Sequence, residues 1–143
     1  MSYILWGLVI VLIILFIISY AKKVRMLRES ENKKQNEKII ILTDANFKKT
    51  IQKGVVLVDF WAPWCAPCRI QNPIISALAD DFDGKVKICK LNVDEHTQTA
   101  REYSIRNIPN ILIFKNGEPA KQLIGAKPKS RIANALKKVL DEK

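Results

Sequence analysis

The stretch Val55-Val56-Leu57-Val58-Asp59-Phe60-Trp61-Ala62-Pro63-Trp64-Cys65-Ala66-Pro67-Cys68 decides how the rest of the chain is read. Apart from Asp59, its first seven residues are apolar without alternation, the pattern of a central strand covered on both faces. From residue 65 to about 82 the apolar residues Ile70, Ile74, Ile75, Leu78 and Phe82 recur at helical spacing. Pro73 lies inside that pattern and should kink it. Two cysteines with two residues between them, set between a strand and a helix with a proline inside the pair, suit reversible thiol–disulfide exchange. The same pair can also ligate zinc, so the surroundings must decide.

Working outward, residues 39–42 (Ile-Ile-Ile-Leu) read as a short buried strand. Thr43 offers a hydroxyl N-cap and Asp44 favours the first turn of a helix to about Lys53, with Gly54 as its stop. Downstream, Asp83-Gly84 marks a turn, 86–93 a strand and 95–103 a short helix. Residues 110–115 and 118–124 form a hairpin through Asn116-Gly117, a type I′ signal. Pro128 suits the first turn of a last helix, whose apolar face is Ile132, Leu136, Val139 and Leu140. The order β-α-β-α-β-α-β-β-α implies an α/β fold: a mixed, mainly parallel central sheet flanked by helices, with antiparallel pairing from the closing hairpin.

The chain has 143 residues, enough for one domain and an appendage. Residues 3–20 carry no charge and are rich in Ile, Leu and Val. As a helix this stretch spans about 27 Å, close to the roughly 30 Å core of a bilayer. Tyr3 and Trp6 at one end and Tyr20 at the other fit an interfacial aromatic pattern. A cleaved signal peptide is the rival reading, with Ser19-Tyr20-Ala21 as a loose cleavage site. Met1-Ser2 lacks the basic side chain such a leader wants, and the apolar run is long for one. The division is then an anchor at 1–21, a charged tether at 22–38 and a domain at 39–143.

Lys22, Lys23, Arg25, Arg28, Lys33 and Lys34 follow the anchor and place the C-terminal side in the cytoplasm by the positive-inside rule. A solvated linker is the plainer account of the same run. It could also touch anionic head groups. The net charge is +10. Residues 1–38 hold seven Lys/Arg and three Glu, and 39–143 hold 17 Lys/Arg and 11 Asp/Glu, so the domain is only mildly basic. No Arg-rich helix or aromatic–basic repeat points to nucleic acid. Three cysteines make an odd count and no stapled framework, and a close pair in a domain of this size is catalytic or metal-binding. Cys89 and His96 would complete a Cys₃His zinc set. But Cys89 lies mid-strand, where a small buried apolar residue is the simpler account, and His96 reads as a surface helix residue.

Over residues 39–143 the chain resembles the thioredoxin family. The resemblance is carried by 58–68 (Val-Asp-Phe-Trp-Ala-Pro-Trp-Cys-Ala-Pro-Cys), 90–94 (Lys-Leu-Asn-Val-Asp), 105–109 (Ile-Arg-Asn-Ile-Pro), 114–118 (Phe-Lys-Asn-Gly-Glu) and Gly125, in the right order. The anchor and tether lie outside it. Ala66-Pro67 replaces the family's usual Gly-Pro between the cysteines, Asn110 stands where Thr is usual, and Gln71-Asn72 replaces a more apolar pair.

The resemblance implies a protein-disulfide reductase working through a Cys65–Cys68 redox disulfide, with no metal or other cofactor. Cys65, at a helix N-terminus, is expected to be the exposed nucleophile with a depressed pKa; Cys68, more buried, resolves the mixed disulfide. Asp59, which alone reads as a strand edge reaching water, becomes a buried proton acceptor for Cys68, and Lys90 its partner on the adjacent strand. Pro109, trans by default, becomes cis and faces the pair, leaving the Ile108 backbone to bind an extended substrate. Trp64, Ala66, Pro67 and Gly125 complete the expected substrate rim, while Trp61 suits core or surface equally. The expected partners are disulfide-containing proteins, a thioredoxin reductase or other dithiol donor, and a membrane reached by a single-pass helix. Two alternatives remain: an extracytoplasmic oxidase, isomerase or thiol donor, and a non-catalytic binding module of the same fold.

Overall fold

A computed structural model describes residues 2–33 and 36–142, with side chains over 6–26 and 36–142. The elements are α1 (Ser2–Lys33), β1 (Ile40–Leu42), α2 (Phe47–Ile51), β2 (Val55–Trp61), α3 (Ala66–Asp81), β3 (Val86–Asn92), α4 (Thr97–Glu102), β4 (Asn110–Lys115), β5 (Glu118–Ile124) and α5 (Lys129–Asp141). The chain divides after residue 35 into a helical unit and a globular one.

The helical unit is α1, whose 32 residues extend about 48 Å. Its stretch Trp6–Met26 is long and apolar enough to cross a membrane. Length and composition of this kind also suit a signal sequence. The helix does not stop where charge begins at Lys22 but continues through the basic run to Lys33. Lys34 lies outside the described residues, as do the side chains of Tyr3, Arg28 and Lys33.

The globular unit begins earlier than the apolar pattern suggests. Asn36 Nδ2 donates to the Ser76 carbonyl at 3.1 Å, and Lys38 pairs with Asp80 and Asp83, so the end of the expected tether is folded against α3. The sheet order is β1-β3-β2-β4-β5. β2 pairs with β3 in parallel and with β4 antiparallel; β1–β3 is parallel and β4–β5 antiparallel. The parallel and antiparallel pairings are therefore equal in number. The cause is α4, which stays at the end of the sheet where β3 stops, so β4 starts from that end and runs back.

β2 is buried to Phe60 and alternates between two cores. Val55 and Leu57 join Ile75, Leu78, Ile88, Ile111, Ile113, Ile132 and Leu136 beneath α3 and α5. Val56, Val58 and Phe60 join Leu42, Phe47, Cys89, Leu91 and Phe114 on the other face. There Phe47 meets Tyr103, Phe114 and Phe60 at ring-centroid distances of 5.1, 5.7 and 6.3 Å.

Three local expectations change. β1 is an edge strand, so Ile40 and Ile41 are exposed and only Leu42 of that strand is buried. α2 starts at Phe47, because Thr43 and Asn46 exchange backbone–side-chain hydrogen bonds that close a turn first. Asp44 reaches α4 instead, accepting from Thr99 N–H at 2.9 Å and Thr99 Oγ1 at 2.6 Å; those bonds hold its carboxyl below the usual range. On α3 the inward face is Cys68, Gln71, Ile75, Leu78 and Ala79, while Ile70 is 68% exposed. At 100° per residue Ile70 lies about 140° around the helix from Ile75, too far to share its face. The hairpin matches its signal, and α5 starts one residue later than its signal, with Pro128 before the first turn. Asn116 and Gly117 both have positive φ, Pro128 is the N-cap of α5, and Ile132, Leu136 and Val139 are buried.

Phe47→Ala should destabilise the unit from residue 36 onward by about 3–5 kcal/mol, the cost of deleting a buried ring. Ile41→Ala, on the exposed edge, should cost under about 1 kcal/mol. Urea unfolding of both variants checks the contrast.

Candidate functional site

Four chain segments meet at one end of the sheet: the end of β2, the end of β3, the start of β4 and the end of β5. The registers Trp61↔Asn92, Phe60↔Asn110 and Asn110↔Ile124 place them side by side. The cysteines lie in the turn that leaves β2.

Cys65 is the N-cap of α3, in an extended conformation, and Pro67 occupies the first turn. An N-cap side chain accepts from the second or third helical N–H. Pro67 has no N–H, so the bond falls to Cys68, whose N–H donates to Cys65 Sγ at 3.2 Å. The Cys65 sulfur is thus held against the positive end of a 16-residue helix. Cys65 and Cys68 form a disulfide with Cα atoms 5.3 Å apart. Both are buried, Cys65 at 3% exposure and Cys68 at 1%, which corrects the expectation of an exposed Cys65. Ala62 underlies the pair, and Trp61, Val93 and Ile108 pack against it.

The exposed surface beside the disulfide comes from its neighbours. Trp64 is 66% exposed and fixed through its indole N–H, which donates to Asp94 at 2.9 Å. Ala66 and Pro67 are exposed. The Ile108–Pro109 peptide is cis, Ile108 is half-buried and Pro109 buried. Gly125 has φ +78°, which side chains rarely adopt, and its N–H donates to the Pro109 carbonyl at 2.8 Å.

Asp59 is fully buried, not at an edge, and neither carboxylate oxygen has a hydrogen-bond partner among the described residues. Strand alternation turns it to the α3 face, and the β2–β3 register sets Lys90 directly opposite. Burial pushes the Asp59 carboxyl up to about 7, with the Lys90 charge opposing. Burial likewise holds the Lys90 ammonium below its ordinary value, with Asp59 opposing. Lys90 is 5% exposed; its Nζ donates to Asn72 Oδ1 at 2.6 Å and lies 4.4 Å from the Trp61 ring centroid.

Asn72 and Gln71 are the site residues that sequence reasoning left without roles. Gln71 is completely buried, accepts from Lys127 N–H at 2.8 Å and donates to the Lys127 carbonyl at 3.2 Å. It ties α3 to the loop that contains Gly125. The signal was present: two amides stand where the apolar periodicity of α3 calls for buried residues.

Cys89 sits in the aromatic-rich core on the far face, apart from the disulfide, and burial raises its thiol to about 12. His96 is the N-cap of α4 and accepts from Asp44 N–H. Among the described residues no three His, Cys, Asp or Glu side chains gather as a metal site.

The thioredoxin family model matches residues 38–138. The thioredoxin of Staphylococcus haemolyticus (strain JCSC1435) is 47% identical over 102 residues, 71% of this chain and 98% of that protein. That of Staphylococcus saprophyticus subsp. saprophyticus is 46% identical over the same extent, and one from Staphylococcus aureus 44%. Thiol–disulfide exchange is the chemistry for which a cysteine pair at a helix N-terminus is suited, and by this match over most of its length the chain belongs to the thioredoxin family.

Proposed function

We propose that this thiol–disulfide oxidoreductase reduces disulfides in proteins while held to a membrane by α1, with its globular unit in the cytoplasm. The observation that carries the chemistry is the Cys65 sulfur at the N-terminus of α3, accepting from Cys68 N–H. The same bond stabilises a thiolate more than a thiol, because the acceptor is then charged.

In the reduced protein the Cys65 thiolate attacks one sulfur of a target disulfide. The target S–S bond breaks, a Cys65–target S–S bond forms, and one target sulfur leaves as a thiolate that takes a proton from water. Cys68 then gives its proton to Asp59 and attacks Cys65 Sγ. The mixed disulfide breaks, the second target sulfur leaves as a thiolate and takes a proton from solvent, Asp59 releases the Cys68 proton to solvent, and the Cys65–Cys68 bond closes. Two electrons and two protons have passed to the target. A dithiol donor, a thioredoxin reductase in the form the family suggests, returns the pair to the reduced state.

Asp59 suits the proton step because a base works best with a pKa near the working pH. The target segment is held by Trp64, Ala66, Pro67, the Ile108 backbone beside Pro109, and Gly125. A membrane location is supported by the Trp6–Met26 stretch, uncharged as far as Ala21, and the cytoplasmic orientation by Lys22, Lys23 and Arg25 at its C-terminal end.

Cys65→Ser should lower turnover of a protein disulfide to background, whereas Cys68→Ser should stop at a covalent Cys65–target adduct visible by mass spectrometry. Full activity in Cys65→Ser would sink the mechanism.

Neutral Asp59 is favoured by the fold. The stability it contributes is complete below the unfolded pKa of about 3.9 and is lost as pH rises through about 7. Between pH 4 and 8 the native chain should lose up to about 4 kcal/mol that Asp59→Asn retains. The variant should also slow closure of the mixed disulfide by roughly 10²–10⁴-fold. Denaturant titrations at the two pH values and stopped-flow kinetics measure both.

In intact, reduced cells a membrane-impermeant thiol reagent should leave Cys65 unlabelled until the cells are opened. Labelling before that would place the globular unit outside.

A further inference from the structure

Asn72 lies one helical turn beyond Cys68 on α3, over the face of the sheet where Asp59 and Lys90 stand opposite each other. A lysine ammonium finds its strongest acceptor in a carboxylate. Here the Lys90 Nζ donates instead to the neutral Asn72 Oδ1 at 2.6 Å and rests over the Trp61 ring at 4.4 Å. Neither Asp59 oxygen receives a hydrogen bond from the described residues.

We propose that Asn72 is a positioning residue that anchors the Lys90 ammonium toward α3 and Trp61 and so withholds it from Asp59. This rests on the reading of Asp59 as the proton acceptor for Cys68. An Asp59 in direct contact with Lys90 would hold its charge to lower pH and accept a proton less readily near neutrality. One with no cation nearby would stay protonated to higher pH. The Asn72 anchor sets a state between these.

The surroundings leave few other groups to act on Asp59. β3 supplies Lys90, and β4 places the apolar Ile111 opposite. α3 supplies neutral Asn72 and the disulfide-bonded Cys68. Near α5, Lys127 is turned to the Ile124 carbonyl and Lys129 pairs with Asp81.

The test is a carbon-13 NMR titration of the Asp59 carboxyl in the full chain, in neutral detergent micelles with the Cys65–Cys68 disulfide closed. Asn72→Ala, a helix-favouring change, should move the midpoint down by about one unit or more as Lys90 turns to Asp59. Asn72→Gln, which keeps the amide acceptor, should restore most of that shift. In a Lys90→Met background Asn72→Ala should move nothing, because its effect runs through the ammonium. A midpoint that stays in place or rises in Asn72→Ala overturns the proposal, as does an equal shift in the Lys90→Met background. The titration needs no turnover. A downward shift with unaltered disulfide-closure kinetics would uphold the positioning role and reject Asp59 as the base.

Discussion

A carboxyl buried without a hydrogen-bond donor can lose several kcal/mol when it ionises. Asp59 is in that position, in the central strand of the sheet, and the structure around it governs its proton. Leu57, Ile88 and Ile111 belong to the apolar core on the same face, and α3 closes over it. Exclusion of water raises the carboxyl; one cation, itself weakened by burial, lowers it. The balance falls near neutrality, where either protonation state is reached at small cost. Exposed to solvent, the same side chain would be ionised throughout the physiological range.

That balance matters because of where β2 ends. Two residues past Asp59 the strand stops, and within seven more the chain has formed a turn, the α3 N-cap and the second cysteine. The antiparallel direction of β4 brings Pro109 to the same end, and the hairpin returns Gly125 to it. The Gly125 N–H to Pro109 carbonyl bond joins the two loops. The disulfide is thus bounded by segments far apart in sequence, each set by strand register. The floor is apolar and buried, and Trp64 and the exposed Ala66-Pro67 turn form the outer surface. A target sulfur must come in against that rim, since the cysteine side chains themselves expose little surface.

Most of the fold was legible because its signals are local and strong. The unbroken apolar run of β2, the Asn116-Gly117 turn and the periodic face of α5 each point to one structure. The failures share a cause: burial is decided by neighbours that the local pattern does not name. Ile40 and Ile41 look buried until β1 proves to be an edge. Ile70 looks like core until the phase of α3 is fixed by Cys68 and Ile75. Asp44 looks like a cap for its own helix, yet bonds Thr99, 55 residues away. At the site, the cysteines were legible from spacing and context. Asp59 and Lys90 needed the register that places them opposite each other, which only the family resemblance supplied. Asn72 and Gln71 had no signal beyond being polar where the helix should be apolar.

That polarity bears on how rigid the site is. An apolar side chain at either position would fill space, and dispersion contacts permit sliding at little cost. An amide must meet its partner within a narrow range of distance and angle. Gln71 uses both ends of its amide on the Lys127 backbone, and no buried polar atom of its side chain is left unpaired. Asn72 uses its carbonyl on Lys90. Burial of the Gln71 amide is thereby offset by hydrogen bonds of ordinary length, and the net effect on stability is small. What remains is direction. The helical turn that follows the disulfide is fastened on one side to the strand carrying the cation and on the other to the loop carrying Gly125. Displacement of Cys68 along the α3 axis would therefore strain both links.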